Sequence, residues 1–407
     1  MFPRLVRPIC RRVSDGAAAF SSSNASVPPE VAALQAQVTA LEARLQQLEA
    51  TLAKSSATAM RYRALGRTGA RVSTLSLGCA GLGGVYGALD QAQADATVLA
   101  ALRHGVNLFD TSPYYGDTVS EAVLGTALRH AVEGGEFARD DFYIATKVGR
   151  YGAGEGADFS RARVAASIGQ SMERLQTDRI DLIQCHDMEF AASLDQVVHE
   201  ALPAMEEARG QGKVAHVGIT GLPLAVIDYV VNAYDGGPID SILSYCCYTL
   251  NNTGLTEYLP RWRHAGIGVI QGGATSMGLL TPGGPQEWHP APAEVRAACR
   301  EAVELCDRLG EDVVKLAFQY TFAQPDVATV LIGAITPEAV EQNVRWCGQP
   351  LNEELAEEVQ SVLAPIRNRL WVETGSEENI ALASSGFWAK GHGTTKVIEG
   401  GSKNLSC

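Results

Sequence analysis

Four residues whose side chains can move protons stand at or just beyond the ends of apolar runs. Asp110 closes VNLFD, Lys147 closes IATK, and His186 and Asp187 close LIQCHD. Tyr114 and Tyr115 follow Asp110 at once, in DTSPYYG. A carboxylate ending a buried run costs free energy unless it has a partner. Lys147 on the next run supplies one, so neither charge is buried alone. A phenol beside that lysine is favoured as phenolate, which predicts a pKa for Tyr115 below its ordinary value of about 10. A histidine at a third run end can orient an oxygen. Together these groups make a proton-transfer site around an alcohol or a carbonyl. Taken singly, each has a plainer reading: an Asp–Lys pair on neighbouring strands is often only structural, and a lone histidine is commonly a satisfied core residue.

Such groups need a scaffold that brings run ends to one place. Eight short β-rich runs recur from residue 61 onward: 72–78, 106–112, 142–149, 179–187, 214–220, 241–246, 267–273 and 328–333. Helical patterns lie between them, such as ARVAASIGQSMERL and SLDQVVHEALPAMEEAR. Near-continuous apolar strands alternating with helices predict a parallel sheet covered on both faces. Eight such units suit a closed (β/α)8 TIM barrel, in which chemistry sits at the carboxyl ends of the strands. A doubly wound open sheet would need a dinucleotide fingerprint near its start. The stretch GCAGLGGVYG (78–87) has Tyr86 where the third glycine is required. It reads instead as the first strand-to-helix loop, where tight backbone approaches a ligand.

At these residues the chain resembles the aldo-keto reductase superfamily. DTSPYYG is similar to its Asp-Thr-x-x-x-Tyr-Gly box, IATKVG to its lysine strand and LIQCHD to its histidine strand. The likeness covers roughly residues 61–370. It implies Tyr115 as general acid/base, Lys147 as the group that tunes it, Asp110 as the holder of Lys147, and His186 as the orienter of a substrate oxygen. It also implies a nicotinamide cofactor extended across the barrel mouth without a Rossmann domain. Within the superfamily, CHDMEF, GITGLPL, LSYCCY, MGLLTPGGPQEWHPA and NRLW resemble the plant-type L-galactose dehydrogenases. That resemblance implies oxidation of L-galactose at its anomeric carbon to the lactone, as in ascorbate biosynthesis. Tyr114, Asp187, Trp288 and His289 then fall to the substrate. Thr220, Gly221, Ser244, Gly272, Gly273, Gly333, Ala334, Gln342 and Asn343 fall to the cofactor. Another aldose or a small aldehyde is the alternative substrate, and a barrel kept as an accessory subunit of a mitochondrial assembly is the alternative role.

The choice between cofactors has a physical argument. A 2′-phosphate needs charge-assisted partners. The stretch after the eighth strand, GAITPEAVEQN (333–343), contains no Lys or Arg, and Gly333 and Ala339 stand where the superfamily's basic residues would be. NAD is therefore expected over NADP. Two departures accompany this: QGGATSMG (271–278) replaces a Ser-Pro-Leu stretch that touches cofactor phosphates, and Thr220-Gly221 occupies the usual amide-clamp position.

The rest of the chain frames this barrel, placed at 57–371. Formal net charge is −13, which argues against nucleic acid. Nine scattered cysteines without CxxC predict small buried residues and neither a disulfide framework nor a zinc site. No apolar run approaches the roughly 20 residues that span a bilayer. Residues 1–29 are Arg- and Ser-rich with no acid before Asp15, the pattern of an organelle presequence. A mitochondrial address is expected, with a plastid or a plain tail as alternatives. Residues 30–56 carry a heptad seam, Val31, Leu34, Val38, Leu41, Leu45, Leu48 and Leu52, which predicts a coiled coil. Its partner is a second copy or another helical protein; the plainer reading is a helix packed on the barrel. Residues 372–407, rich in Gly and Ser, read as a flexible tail or a strap.

Overall fold

The structure, a computed structural model, describes residues 60–84, 89–152 and 154–371, with isolated helical positions at 38, 39, 44, 378, 379 and 381. The presequence lies outside the described residues. So does the heptad segment apart from Val38, Thr39 and Arg44, and most of the C-terminal tail.

The first apolar run is two strands rather than one. β1 (Tyr62–Ala64) and β2 (Arg71–Ser73) form an antiparallel hairpin, and only β3 (Leu75–Gly78) enters the barrel. Leu65 and Val72 of the hairpin region join the cluster that fills the barrel's interior, with Leu108, Leu182, Leu243 and Ile270. Arg63 donates to the carbonyls of Phe322, Gln324 and Val327, tying the hairpin to the chain that precedes the last strand. β4 (Leu108–Asp110), β5 (Tyr143–Val148), β6 (Ile180–Cys185), β7 (Val214–Gly221), β8 (Ser241–Tyr245), β9 (Gly268–Gly272) and β10 (Thr329–Gly333) complete the ring. All eight strands pair in parallel and close in the order β10-β3-β4-β5-β6-β7-β8-β9.

Helices α1 (Gln91–Arg103), α2 (Val119–Glu133) and α3 (Arg161–Leu175) follow the first three barrel strands. Asp90 caps α1 by accepting the Gln93 N–H, and Ser160 caps α3 through Arg163. The fourth helical segment is one stretch interrupted by a π-turn at Val197–Ala201 before α4 (Leu202–Gly210). Pro203 explains the interruption: it has no N–H to give and its ring crowds the His199 carbonyl. α5 (Leu224–Ala233), α6 (Leu259–His264), α7 (Ala293–Arg308), α8 (Val313–Ala323), α9 (Pro337–Gly348) and α10 (Glu353–Leu363) follow. None of the seven described cysteines is in a disulfide, and all are buried. In the tail, Asn379 is buried and donates to the Ala191 carbonyl at 2.7 Å, so the chain is seated on the barrel there.

One cluster fastens the helix layer to the lysine strand. Glu121 of α2 is fully buried; its Oε1 accepts the Thr146 hydroxyl at 2.6 Å and its Oε2 accepts Arg174 Nε of α3 at 2.7 Å. Thr146 faces the helices, so its neighbour Lys147 must face the barrel interior. Replacing Glu121 by Ala leaves Arg174 and Thr146 without this partner. Unfolding free energy in a urea titration should fall by about 3 kcal/mol. A loss below about 1 kcal/mol would show that the cluster is not what clamps β5.

Candidate active site

Asp110 and Lys147 meet at the carboxyl ends of β4 and β5, both almost completely buried. They form a direct ion pair. Each partner has a further hydrogen bond: Lys147 Nζ donates to the Thr111 carbonyl at 2.9 Å, and Asp110 Oδ2 accepts Gln184 Nε2 of β6 at 2.7 Å. A buried pair is tolerable only when it is satisfied in this way.

Tyr115 is held by two loops. The loop after β3, the 3₁₀ turn Cys79–Gly83, lies against the turn that carries Tyr115. A Cβ on Gly83 would stand 2.8 Å from the Tyr115 backbone, and one on Gly116 (φ +61°) would stand 2.0 Å from the Gly83 carbonyl oxygen. These glycines allow backbone to meet backbone. The tight backbone expected of this loop thus has a structural use in its described part. Ser120 Oγ, which donates to the Cys79 carbonyl at 2.6 Å, pins the same junction.

Lys147 Nζ lies 4.7 Å from the centre of the Tyr115 ring. The phenol is nevertheless not acidified. Burial raises its pKa well above the ordinary value, and the Asp110 and Asp187 carboxylates add to that. The expected lowering by Lys147 is thus overturned in this state, because burial and the neighbouring carboxylates outweigh it. Tyr115 is a neutral phenol, ready to donate.

His186 stands edge-on to Tyr115 and to Tyr114, with ring centres 5.8 and 5.9 Å away. Its Nδ1 is 3.1 Å from Ser112 Oγ, which itself accepts the Tyr114 N–H. The tautomer in which Ser112 donates to Nδ1 leaves the ring proton on Nε2, which stands 3.5 Å from Asp187 Oδ2. Burial lowers the His186 pKa to about 3, with Lys147 and Arg150 adding to the effect against the pull of Asp187. Arg150, one residue beyond the β5 loop glycine and unmarked in the sequence reading, pairs with Asp187. Its guanidinium lies 4.3 Å over the Tyr114 ring and 4.0 Å over Phe190. Asp187 adopts left-handed backbone (φ +46°). Donors and acceptors therefore line one side of the phenol, an arrangement suited to a polyhydroxylated molecule.

The profile of the Aldo/keto reductase family matches residues 74–364. The chain belongs to this family. Its members are oxidoreductases that use nicotinamide cofactors. The chain is 44% identical over 313 residues to L-galactose dehydrogenase of Arabidopsis thaliana, covering 76% of this chain and 96% of that protein. It is 34% identical over 265 residues to D-arabinose 1-dehydrogenase of Saccharomyces cerevisiae, covering 63% and 76%. Among solved structures it is similar to the holo form of aldo-keto reductase AKR11C1 from Bacillus halodurans, with a TM-score of 0.62 and 28% identity over 78% of this chain and all of that one.

The family's cofactor can be tested against the strand ends. Thr220 and Gly221, Ser244, and Gly272 and Gly273 stand at the ends of β7, β8 and β9 or just beyond. Ser244 Oγ is fully buried and has no hydrogen-bond partner among the described residues. Gly273 (φ +72°) admits no side chain, because a Cβ would lie 2.5 Å from Cys246 Sγ. Leu243 belongs to the barrel interior, so Ser244 beside it turns toward the helices, and what these strand ends offer a nicotinamide is the bare backbone of Gly221, Gly272 and Gly273. Beyond β10, Gly333 is exposed and Ala334 buried, and Thr336 caps α9. Gln342 accepts Arg345 at 2.7 Å and Asn343 is buried. Arg345 lies in the last turn of α9, away from the end nearest the barrel mouth.

The structure commits His289 to the loop after β9. It is buried, its Nδ1 accepts the Ala291 N–H, its Nε2 donates to the Ser276 carbonyl, and its ring meets Trp371 at 4.6 Å. It fastens the loop after β9 to the C-terminal segment, as its spacing from the indole could not show. Trp288 beside it is 63% exposed.

His186 makes a prediction about acid. Its folded pKa lies below its unfolded value of about 6.5, so its contribution is present above that value and is lost as pH falls toward about 3. Stability should decline over that window by up to about 1.4 kcal/mol per pH unit from this group. His186→Asn should show a shallower decline in denaturant titrations at pH 7, 5 and 4. Parallel curves would refute a neutral buried imidazole.

Proposed function

We propose that the protein is an NAD-dependent dehydrogenase that oxidises L-galactose, or a closely similar aldose, at the anomeric carbon to the aldonolactone. The single observation that carries this reading is the half-buried Tyr115 phenol set between the Lys147–Asp110 pair and a neutral His186. The similarity to two relatives named for aldose dehydrogenation supports the substrate class. The Arg-rich first residues support a mitochondrial setting, where the lactone would feed ascorbate biosynthesis.

Thr220, Gly221, Gly272 and Gly273 would hold the nicotinamide end, and Gly333, Ala334 and the start of α9 the adenosine end. When bound, NAD supplies a hydride acceptor and one positive ring charge. The rest falls to the chain. His186 gives its Nε2–H to the anomeric oxygen and fixes its position. Tyr115, once its own proton has passed to water, would as phenolate take the proton of the anomeric hydroxyl as C1 gives up hydride, so that oxidation of the sugar to the lactone releases one proton net. Lys147 holds positive charge against the ring that must become phenolate, and Asp110 holds Lys147 still. Arg150, Asp187 and Tyr114 face the sugar's other hydroxyls.

Because the resting phenol is neutral, oxidation should quicken as pH rises through the alkaline range. Reduction of a carbonyl should not. Tyr115→Phe removes the proton acceptor and leaves the ring. Turnover of L-galactose, followed by NADH absorbance, should fall by about 10²–10⁴; a drop of less than about threefold would refute the role.

Cofactor preference gives a second measurement. No cation stands in residues 333–343 to meet a 2′-phosphate. NAD should exceed NADP in kcat/KM by at least about tenfold, or about 1.4 kcal/mol. A preference for NADP would overturn this part of the reading.

A further inference from the structure

His186 is followed at once by a carboxylate. Asp187 takes left-handed backbone (φ +46°), and its Oδ2 comes to 3.5 Å from His186 Nε2. That is longer than a hydrogen bond, and a small rotation would make it one. Nε2 carries the proton that a substrate oxygen needs. An anionic oxygen beside it is a rival acceptor, because a carboxylate this close holds the N–H and draws a second proton onto the ring.

Arg150 opposes that outcome. Its Nη1 donates to Oδ2, the same oxygen that faces Nε2. The chain is built to put the guanidinium there. Gly149 (φ +96°) turns the backbone just past β5, where a Cβ would lie 2.3 Å from the Phe159 ring, and Arg150 forms a backbone bridge with Ala157. The guanidinium lies over the Tyr114 and Phe190 rings, and its Nη2 is 3.3 Å from the Tyr114 hydroxyl. The Arg150 and Asp187 side chains are 15% and 20% exposed, so their attraction is screened far less than on an open surface. The charged groups acting on His186 are Asp187, Lys147 and Arg150, and Lys147 is itself paired with Asp110. Ser112, Tyr114 and Tyr115 complete its surroundings. Glu189, beyond Asp187, is mostly uncharged at neutral pH, since burial and Asp187 push its carboxyl up to about 8.

We propose that Arg150 is a positioning residue for His186: by taking the Asp187 oxygen nearest Nε2, it keeps that carboxylate from claiming the Nε2–H and leaves the N–H to the substrate oxygen. The proposal rests on the reading of His186 as the group that orients the anomeric oxygen. It gives the carboxylate beside the histidine a partner, as Lys147 gives one to Asp110.

The test follows the His186 ring by NMR in the full chain labelled at histidine, its signal identified by its loss in His186→Asn. In wild type the ring should stay neutral through the mildly acid range, with its midpoint at about 3. In Arg150→Met the midpoint should rise by at least about one pH unit, because the Asp187 charge is no longer offset. Adding Asp187→Asn to Arg150→Met should bring the ring back to its wild-type titration. Should Arg150→Met fail to fold, Arg150→Gln, which is planar and uncharged, carries the same comparison. In turnover, kcat/KM of the variant for L-galactose relative to wild type should fall as pH is lowered through the new midpoint. A rise smaller than about one unit, or one that Asp187→Asn does not reverse, overturns the proposal. A kcat/KM ratio that is constant with pH also overturns it, and means that Arg150 acts on the sugar alone. If wild type does not oxidise L-galactose, the substrate reading fails, and the titrations still decide whether Arg150 controls the imidazole.

Discussion

The buried ion pair of Asp110 and Lys147 is the constraint around which the rest of the site is built. Two charges removed from water are costly, and their attraction repays that only with good geometry and no unmet hydrogen bonds. The structure meets this with the Thr111 carbonyl, the Gln184 amide and a strand register that leaves neither partner room to turn. The pair also governs its surroundings. Burial first, and the Asp110 charge after it, keep the neighbouring phenol protonated, and its acidity is left to whatever charge next enters the site. A lysine without that carboxylate would be a stronger activator and a poorer component of a folded core.

The scaffold was largely legible in the sequence. Strands buried on both faces leave almost unbroken apolar runs, and helices between them keep their own period. The exception, residues 71–78, shows where such reading stops. Arg71–Ser73 and Leu75–Gly78 share one apolar pattern, yet the first pairs antiparallel beneath the barrel and only the second pairs within it. Composition does not record a change of partner. Pro203, by contrast, did carry a readable signal for the π-turn before it.

The site was legible in part. Asp110, Tyr115, Lys147 and His186 announce themselves because charged and phenolic groups are conspicuous at the ends of apolar runs. His289 looked equally conspicuous, but both of its nitrogens are committed to backbone. Arg150 was missed although it sits two residues past the end of its strand, where strand-end logic could have found it.

The barrel's interior is filled by Leu65, Val72, Leu108, Leu182, Leu243 and Ile270, beneath which the β1–β2 hairpin lies. A filled interior has no back door. Whatever leaves the phenol must leave through the opening by which the next molecule arrives, so traffic queues instead of flowing through. Turnover in such a vessel is a matter of order as much as of chemistry: the first reactant in sits deepest, and nothing behind it can be exchanged until the way out is clear.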